Sequence, residues 1–140
     1  QNCLIKSGIN FNLFVKALSK VCSELAKMIV KDAEGATKFI RIKVDKARTV
    51  KEAKTVALSI ANSCLFKTAM FGENSNFGRI VASVGSSGID VKEKDLKISL
   101  SPLNRKEIRV NVSINRGKYS AVIYTSDLTP EYVKINAQYN

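Results

Sequence analysis

Apolar and polar positions follow two different periods along this chain. From Asn10 to Lys31 the apolar residues Phe11, Phe14, Val15, Leu18, Val21, Cys22, Leu25, Met28 and Ile29 recur at helical spacing. They form one broad face, opposite Lys16, Lys20, Glu24, Lys27 and Lys31. This predicts an amphipathic helix whose lysine stripe is either a solvated face or a phosphate-binding surface. The period breaks over Asp32 to Thr37, with Gly35 the natural point for the chain to turn. The period then changes to two: Ile40, Ile42 and Val44 alternate with Arg41 and Lys43, as in a half-buried strand. Thr49-Val50-Lys51-Glu52 matches a capping box, and the helix it opens carries Val50, Ala53, Ala57, Ile60, Ala61 and Cys64 on one side. Residues that small predict close packing against a sheet.

Further on, Phe71 to Arg79 is punctuated by Gly, Ser and Asn and reads as a loop leading into a short helix that stops near Gly85. Leu96 to Leu100, Ile108 to Ile114 and Tyr119 to Thr125 have the character of strands. Asn115-Arg116-Gly117-Lys118 between the last two suits a hairpin turn. A closing segment runs from Tyr132 to Tyr139. The fold class is therefore α+β: an N-terminal amphipathic helix, then a mixed sheet of about four strands packed against two helices as a two-layer sandwich.

Composition narrows the chemistry. The 140 residues contain no His, which removes the Ser/His and Cys/His nucleophile pairs, an imidazole base and every His-containing zinc site. Cys3, Cys22 and Cys64 are odd in number and far apart, so they predict neither a metal site nor a redox pair. Cys22 and Cys64, on apolar helix faces, read as buried thiols in a reducing, cytoplasmic compartment. No run approaches a membrane span, and no signal-peptide pattern opens the chain. Its start, Gln1-Asn2-Cys3, lacks an initiator Met, which points to a piece of a longer product.

The formal charge is +11, and Lys38, Arg41, Lys43, Lys46, Arg48, Lys51 and Lys54 form its densest run. That run is the basis of an alternative reading, a stand-alone basic α+β module that binds nucleic acid without catalysis. Only Phe39 lies within it, so stacking surfaces for single strands are scarce. Glu34 and Glu73 lie in Gly-containing, non-helical stretches. There a carboxylate either grips an ammonium group in a cleft or is an exposed, cap-forming residue.

Specific strings then say more than composition. Asp32-Ala33-Glu34-Gly35-Ala36-Thr37-Lys38 resembles the Asp-Gly-Glu-Gly-Ala-Thr-Lys signature of the bifunctional ornithine acetyltransferase / N-acetylglutamate synthase family. Ala61-Asn62-Ser63, Leu65 and Lys67-Thr68-Ala69 are similar to its Ala-Asn-Ser-x-Leu-x-Lys-Thr-Ala. Phe71-Gly72-Glu73-Asn74-Ser75-Asn76-Phe77-Gly78-Arg79-Ile80 is similar to its Phe-Gly-Glu-Asp-Pro-Asn-Trp-Gly-Arg-Ile. Asp127-Leu128-Thr129, Tyr132 to Ala137 and Tyr139 resemble its C-terminal signature.

This resemblance implies a precursor that cleaves itself before a Thr. The new N-terminal Thr of the β chain takes acetyl from N-acetylornithine and passes it to glutamate. An N-terminal amine can act as the base for its own hydroxyl, so such chemistry needs no His. The resemblance begins after that Thr and places the oxyanion-hole residues and a substrate-binding Lys in the α chain, so this chain is expected to hold no catalytic residue and no metal. It implies substrate-binding roles for Glu34, whose carboxylate suits an amino group, and Asn136, whose amide can both donate and accept. It assigns residues 1–36 to a helical arm of the preceding catalytic domain and residues 37–140 to a C-terminal α+β domain of the β chain. The implied partners are the α chain and the rest of the β chain, as α2β2 or higher, with N-acetylornithine, ornithine and glutamate as ligands. No bound cofactor is implied; acetyl-CoA enters only as a co-substrate. Three departures stand out: Asn74, Ser75 and Phe77 replace Asp, Pro and Trp; Ala33 stands where the family has Gly and would be strained at positive φ; and the stretch from Leu100 to Glu107 is shorter than in the family.

Overall fold

The structure, a computed structural model, describes residues 9–138. Cys3, Tyr139 and the chain's first and last residues lie outside that range. The elements run α1 (Ile9–Lys31), β1 (Phe39–Ala47), α2 (Val50–Ala61), α3 (Cys64–Phe71), α4 (Phe77–Gly85), β2 (Lys97–Leu100), β3 (Glu107–Ser113), β4 (Tyr119–Ser126) and α5 (Pro130–Ala137).

The sheet is four-stranded and mixed, in the order β2-β3-β1-β4. β1 runs parallel to β3 and antiparallel to β4. The alternation read from the sequence decides its faces: Ile40, Ile42 and Val44 of β1 and Ile108, Val110 and Val112 of β3 are fully buried. Each such side chain contributes about 1.5–3 kcal/mol relative to an exposed one. α2 covers this face, bringing Ala53, Val56, Ala57 and Ile60 against it, and α3 and α4 complete the layer with Phe66, Met70, Ile80 and Val84. The predicted two-layer arrangement is therefore present.

Local details differ from the sequence reading. β3 and β4 do not pair as a hairpin, because β1 lies between them. The Asn115–Lys118 turn crosses the end of β1 instead, where Arg116 N and Gly117 N both donate to Lys46 O. A Cβ on Gly117 would stand 2.5 Å from Ala47 O, so this crossing requires glycine. The capping box is half formed. Thr49 Oγ1 accepts from Glu52 N at 3.0 Å, but the Glu52 carboxylate accepts from Arg48 N at 2.9 Å and from the Arg116 guanidinium, not from Thr49 N. α3 is an additional helix, begun by the Ser63 hydroxyl accepting from Phe66 N.

The expected burial of the cysteines fails: Cys22 and Cys64 are both exposed. Cys64 opens α3, whose inward side is Phe66, Ala69 and Met70. Cys22 belongs to α1, whose apolar face is uncovered among the described residues, with Phe14, Leu18, Val21, Leu25 and Ile29 48–73% exposed. The basic run is also divided. Arg41 and Lys43 face away from α2, whereas Lys51 and Lys54 lie on α2 itself, across the sheet, so the run forms no continuous basic surface. Among the described residues no helix is long and apolar enough to cross a membrane.

α1 meets the open face of the sheet by its C-terminal end. Lys31 Nζ contacts Glu107 Oε1 at 2.8 Å and lies 5.1 Å from the Phe39 ring centroid, and Lys27 Nζ lies 5.7 Å from that of Tyr124. The hydrogen bond from Lys31 holds the Glu107 carboxyl below its ordinary 4.5. A depressed carboxyl contributes stability that is present above the unfolded value and lost as pH falls through the folded one. The last turns of α1 should therefore loosen from the sheet below about pH 4.5. Hydrogen exchange should show faster α1 amides on acidification while β1 stays protected, and equal responses would exclude the Glu107 contact as the cause.

Candidate functional site

The loop from Asp32 to Lys38 joins α1 to β1 and is held by residues far away in sequence. Asp127, 3% exposed at the end of β4, is its anchor. One oxygen, Oδ1, accepts from Thr37 N at 2.9 Å and Lys38 N at 3.0 Å, and Oδ2 accepts from Thr37 Oγ1 at 2.5 Å. Thr129 adds two bonds. Its hydroxyl donates to Gly35 O at 2.6 Å and accepts from Tyr132 N at 3.1 Å, so one side chain caps α5 and ties down the loop. Pro130 follows at the first helical position, where its missing N–H costs nothing.

Gly35 is required twice over. Its φ is +67°, and a Cβ there would stand 2.6 Å from Tyr132 N. Ala33 is not among the residues with positive φ, so the strain anticipated there is absent; Gly35 takes the left-handed turn.

Lys38 connects the remaining strings. Its side chain is only 9% exposed, and its ammonium donates to Glu73 Oε1 at 2.5 Å and Leu103 O at 2.7 Å. Glu73, itself at φ +52°, is thereby the half-exposed counter-ion of Lys38, so the ammonium group it grips is that of a lysine in its own chain. Leu128 N donates to Lys67 O at 3.3 Å, which brings in the third string. Two other strings thus meet this loop directly, and the string of Lys67 meets the Asp127–Thr129 segment that anchors it. A cleft of about 550 Å³ lies against Thr37, Lys38, Phe39 and Glu107, and one of about 560 Å³ lies against Glu73 and Leu103.

Glu34 is exposed in the turn, next to the glycine that packs on Tyr132. Asn136 is exposed one turn further along α5, its Nδ2 donating to Tyr132 O at 2.9 Å. Tyr132 thus touches Asn136 and the glycine next to Glu34, and neither predicted residue lines the two clefts just described. The carboxylate of Glu34 has no ion pair or hydrogen bond among the described residues. The resemblance implies no role for Asp127 or Thr129. The Thr-Pro start of α5 was the local signal available for Thr129, whereas nothing local marks Asp127 as the receptor of a loop ninety residues earlier.

These strings and this fold are those of a known enzyme family. The ArgJ family profile matches residues 2–104 and 100–140, and the chain belongs to that family. It is 42% identical to the arginine biosynthesis bifunctional protein ArgJ of Geobacter sulfurreducens, over 90% of this chain and 37% of that protein. It is 40% identical to the glutamate N-acetyltransferase of Methanocaldococcus jannaschii, over 95% of this chain and 41% of that one. The crystal structure of the arginine biosynthesis bifunctional protein argJ from Bacillus halodurans superposes with a TM-score of 0.90 at 32% identity, covering 97% of this chain and 74% of that one. The chain thus spans about two fifths of the length of the curated relatives it matches.

The match to Methanocaldococcus runs over 165 positions although this chain has 140 residues, so the relative carries residues with no counterpart. The family match divides at 100–104, within the connection from β2 to β3. That agrees with the short Leu100 to Glu107 stretch, whose Leu103 carbonyl receives Lys38.

Proposed function

We propose that this chain is the C-terminal part of the β chain of an N-terminal-Thr acetyltransferase that moves acetyl from N-acetylornithine to glutamate in arginine biosynthesis. The observation that carries the reading is the packing of the family strings on the Glu34 loop and on the Asp127–Thr129 segment that anchors it, in a chain that belongs to the ArgJ family.

In this scheme the nucleophile is supplied from outside these residues. The Thr hydroxyl loses its proton to the N-terminal amine and attacks the acetyl carbonyl. The C–N bond breaks, ornithine leaves with a proton, and the acetyl ester remains on Thr. The glutamate amine then attacks the ester, giving N-acetylglutamate and free Thr. The part assigned to this chain is the pocket wall: the Glu34 carboxylate holds a substrate ammonium group, and the Asn136 amide pairs with the amino-acid portion. The oxyanion donors and a substrate-binding Lys come from the α chain.

Residues 1–36 belong on this reading to a helical arm of the preceding domain, and residues 37–140 form the C-terminal α+β domain. The uncovered apolar face of α1 supports that division. The assembly is α2β2 or higher and works in the cytoplasm without a bound cofactor. Acetyl-CoA serves as a second acetyl donor only if the enzyme is bifunctional.

Intact mass and N-terminal sequencing of the full-length gene product test the proposal. The expected result is two chains, the second beginning with Thr, and formation of N-acetylglutamate from N-acetylornithine and glutamate. A single uncleaved chain without acetyl transfer would overturn it.

A further inference from the structure

We propose that the open face of the sheet carries a binding site for a small, doubly charged oxyanion, gripped by Arg41 and Arg109. The site uses no residue assigned to acetyl transfer.

Arg41 and Arg109 are register partners on the parallel neighbours β1 and β3. Both alternate with buried residues, so both stand on the face away from α2. Tyr124 of β4 is the register partner of Arg41 on its other side. Like charges side by side on one sheet face repel, and an arrangement of this kind calls for an anion between them. The protein does not provide one among the described residues. The two carboxylates lining this cleft are already engaged, Glu24 with Lys27 and Glu107 with Lys31, each at 2.8 Å. Among the described residues neither guanidinium has an ion pair or hydrogen bond; the nearby Glu107 carboxylate feels the Arg109 charge but is bonded to Lys31, so the cleft keeps an excess of positive charge.

The surroundings form a chamber. The last turns of α1 stand over this row of the sheet, with Lys27 near the Tyr124 ring and Lys31 near the Phe39 ring. Those rings stack on each other with centroids 5.4 Å apart and form an apolar wall. The cleft measures about 310 Å³, the size that suits a small metabolite rather than a polymer. Guanidinium groups present paired N–H donors in a fixed plane, the geometry that matches carboxylate and phosphate oxygens. Two of them suit a dianion, either a phosphate group or a dicarboxylate.

Calorimetric titration of the full-length protein distinguishes these sources. Inorganic phosphate forms one arm and succinate the other, both at ionic strength fixed with chloride. Saturable binding of either anion is expected, and the tighter arm identifies the class. The R41Q/R109Q double variant should bind at least about tenfold more weakly, as expected when charged hydrogen bonds are lost. R41K/R109K keeps the charges but not the planar donors and should fall between the two. Because the substitutions relieve repulsion on a partly solvated face, both variants should melt no lower than the parent. Binding by neither anion would overturn the proposal, as when an internal carboxylate from elsewhere in the polypeptide already occupies the pair. Equal binding by the parent and R41Q/R109Q would overturn it as well.

Discussion

Glu34→Gln in the complete enzyme should lower acetyl transfer to glutamate by about 10- to 100-fold while leaving self-cleavage of the precursor intact. Gln has the same shape and keeps one acceptor oxygen, so what is lost is the charge. A hydrogen bond to a charged group contributes roughly 1.5–3 kcal/mol, which sets that range. The side chain is exposed and makes no contact that the fold depends on, so its melting temperature should change little. The backbone of the turn is fixed by Gly35 and Thr129, neither of which is altered. The measurement is kcat/KM for N-acetylornithine and for glutamate, beside a gel assay of precursor cleavage. Unchanged transfer would remove Glu34 from the site. Loss of cleavage would mean that the substitution acts on the nucleophile and not on the substrate.

What could be read from the sequence follows from how local each determinant is. The β1 strand needs only its own alternation, because one face is buried under α2 and the other is not, and Ile40, Ile42 and Val44 record that directly. The start of α2 is equally local, since Thr49 reaches a donor three residues away. The Asn115–Lys118 turn reads as a hairpin because a hairpin and a crossing over a third strand use the same turn residues. Only the insertion of β1 between β3 and β4 decides between them. Glu52 took Arg48 N and Arg116 in place of Thr49 N, a choice set by an arginine 64 residues away. Cys22 looked buried because its helical face is apolar, but a periodic face shows that a helix has a partner without showing that the partner lies in the same residues. The candidate site divides the same way. Glu34 and Asn136 are candidates through resemblance alone, and the clamp that holds the Glu34 loop is made by contacts between residues about ninety positions apart.

That clamp should also have a large effect on stability. Asp127→Ala should destabilise it by about 3–5 kcal/mol, because the buried carboxylate accepts from Thr37 N, Lys38 N and Thr37 Oγ1 and the truncation leaves donors without partners. For a domain of this size the melting temperature should fall by roughly 10–15 °C. Asp127→Asn is the discriminating companion. Both backbone bonds run to Oδ1, which an amide oxygen reproduces, so only the Thr37 hydroxyl bond to Oδ2 changes and the cost should stay near 1 kcal/mol. The hydroxyl can also rotate to accept from the new amide. Asp127 touches no substrate on this account and is a positioning residue, acting through the loop that carries Glu34. In the complete enzyme, Asp127→Ala assayed well below its melting point should therefore raise KM for the amino-acid substrates, and Asp127→Asn should restore most of the parent value. If Ala and Asn cost the same stability and the same KM, then negative charge rather than the acceptor at Oδ1 holds the loop, and the clamp as described is wrong.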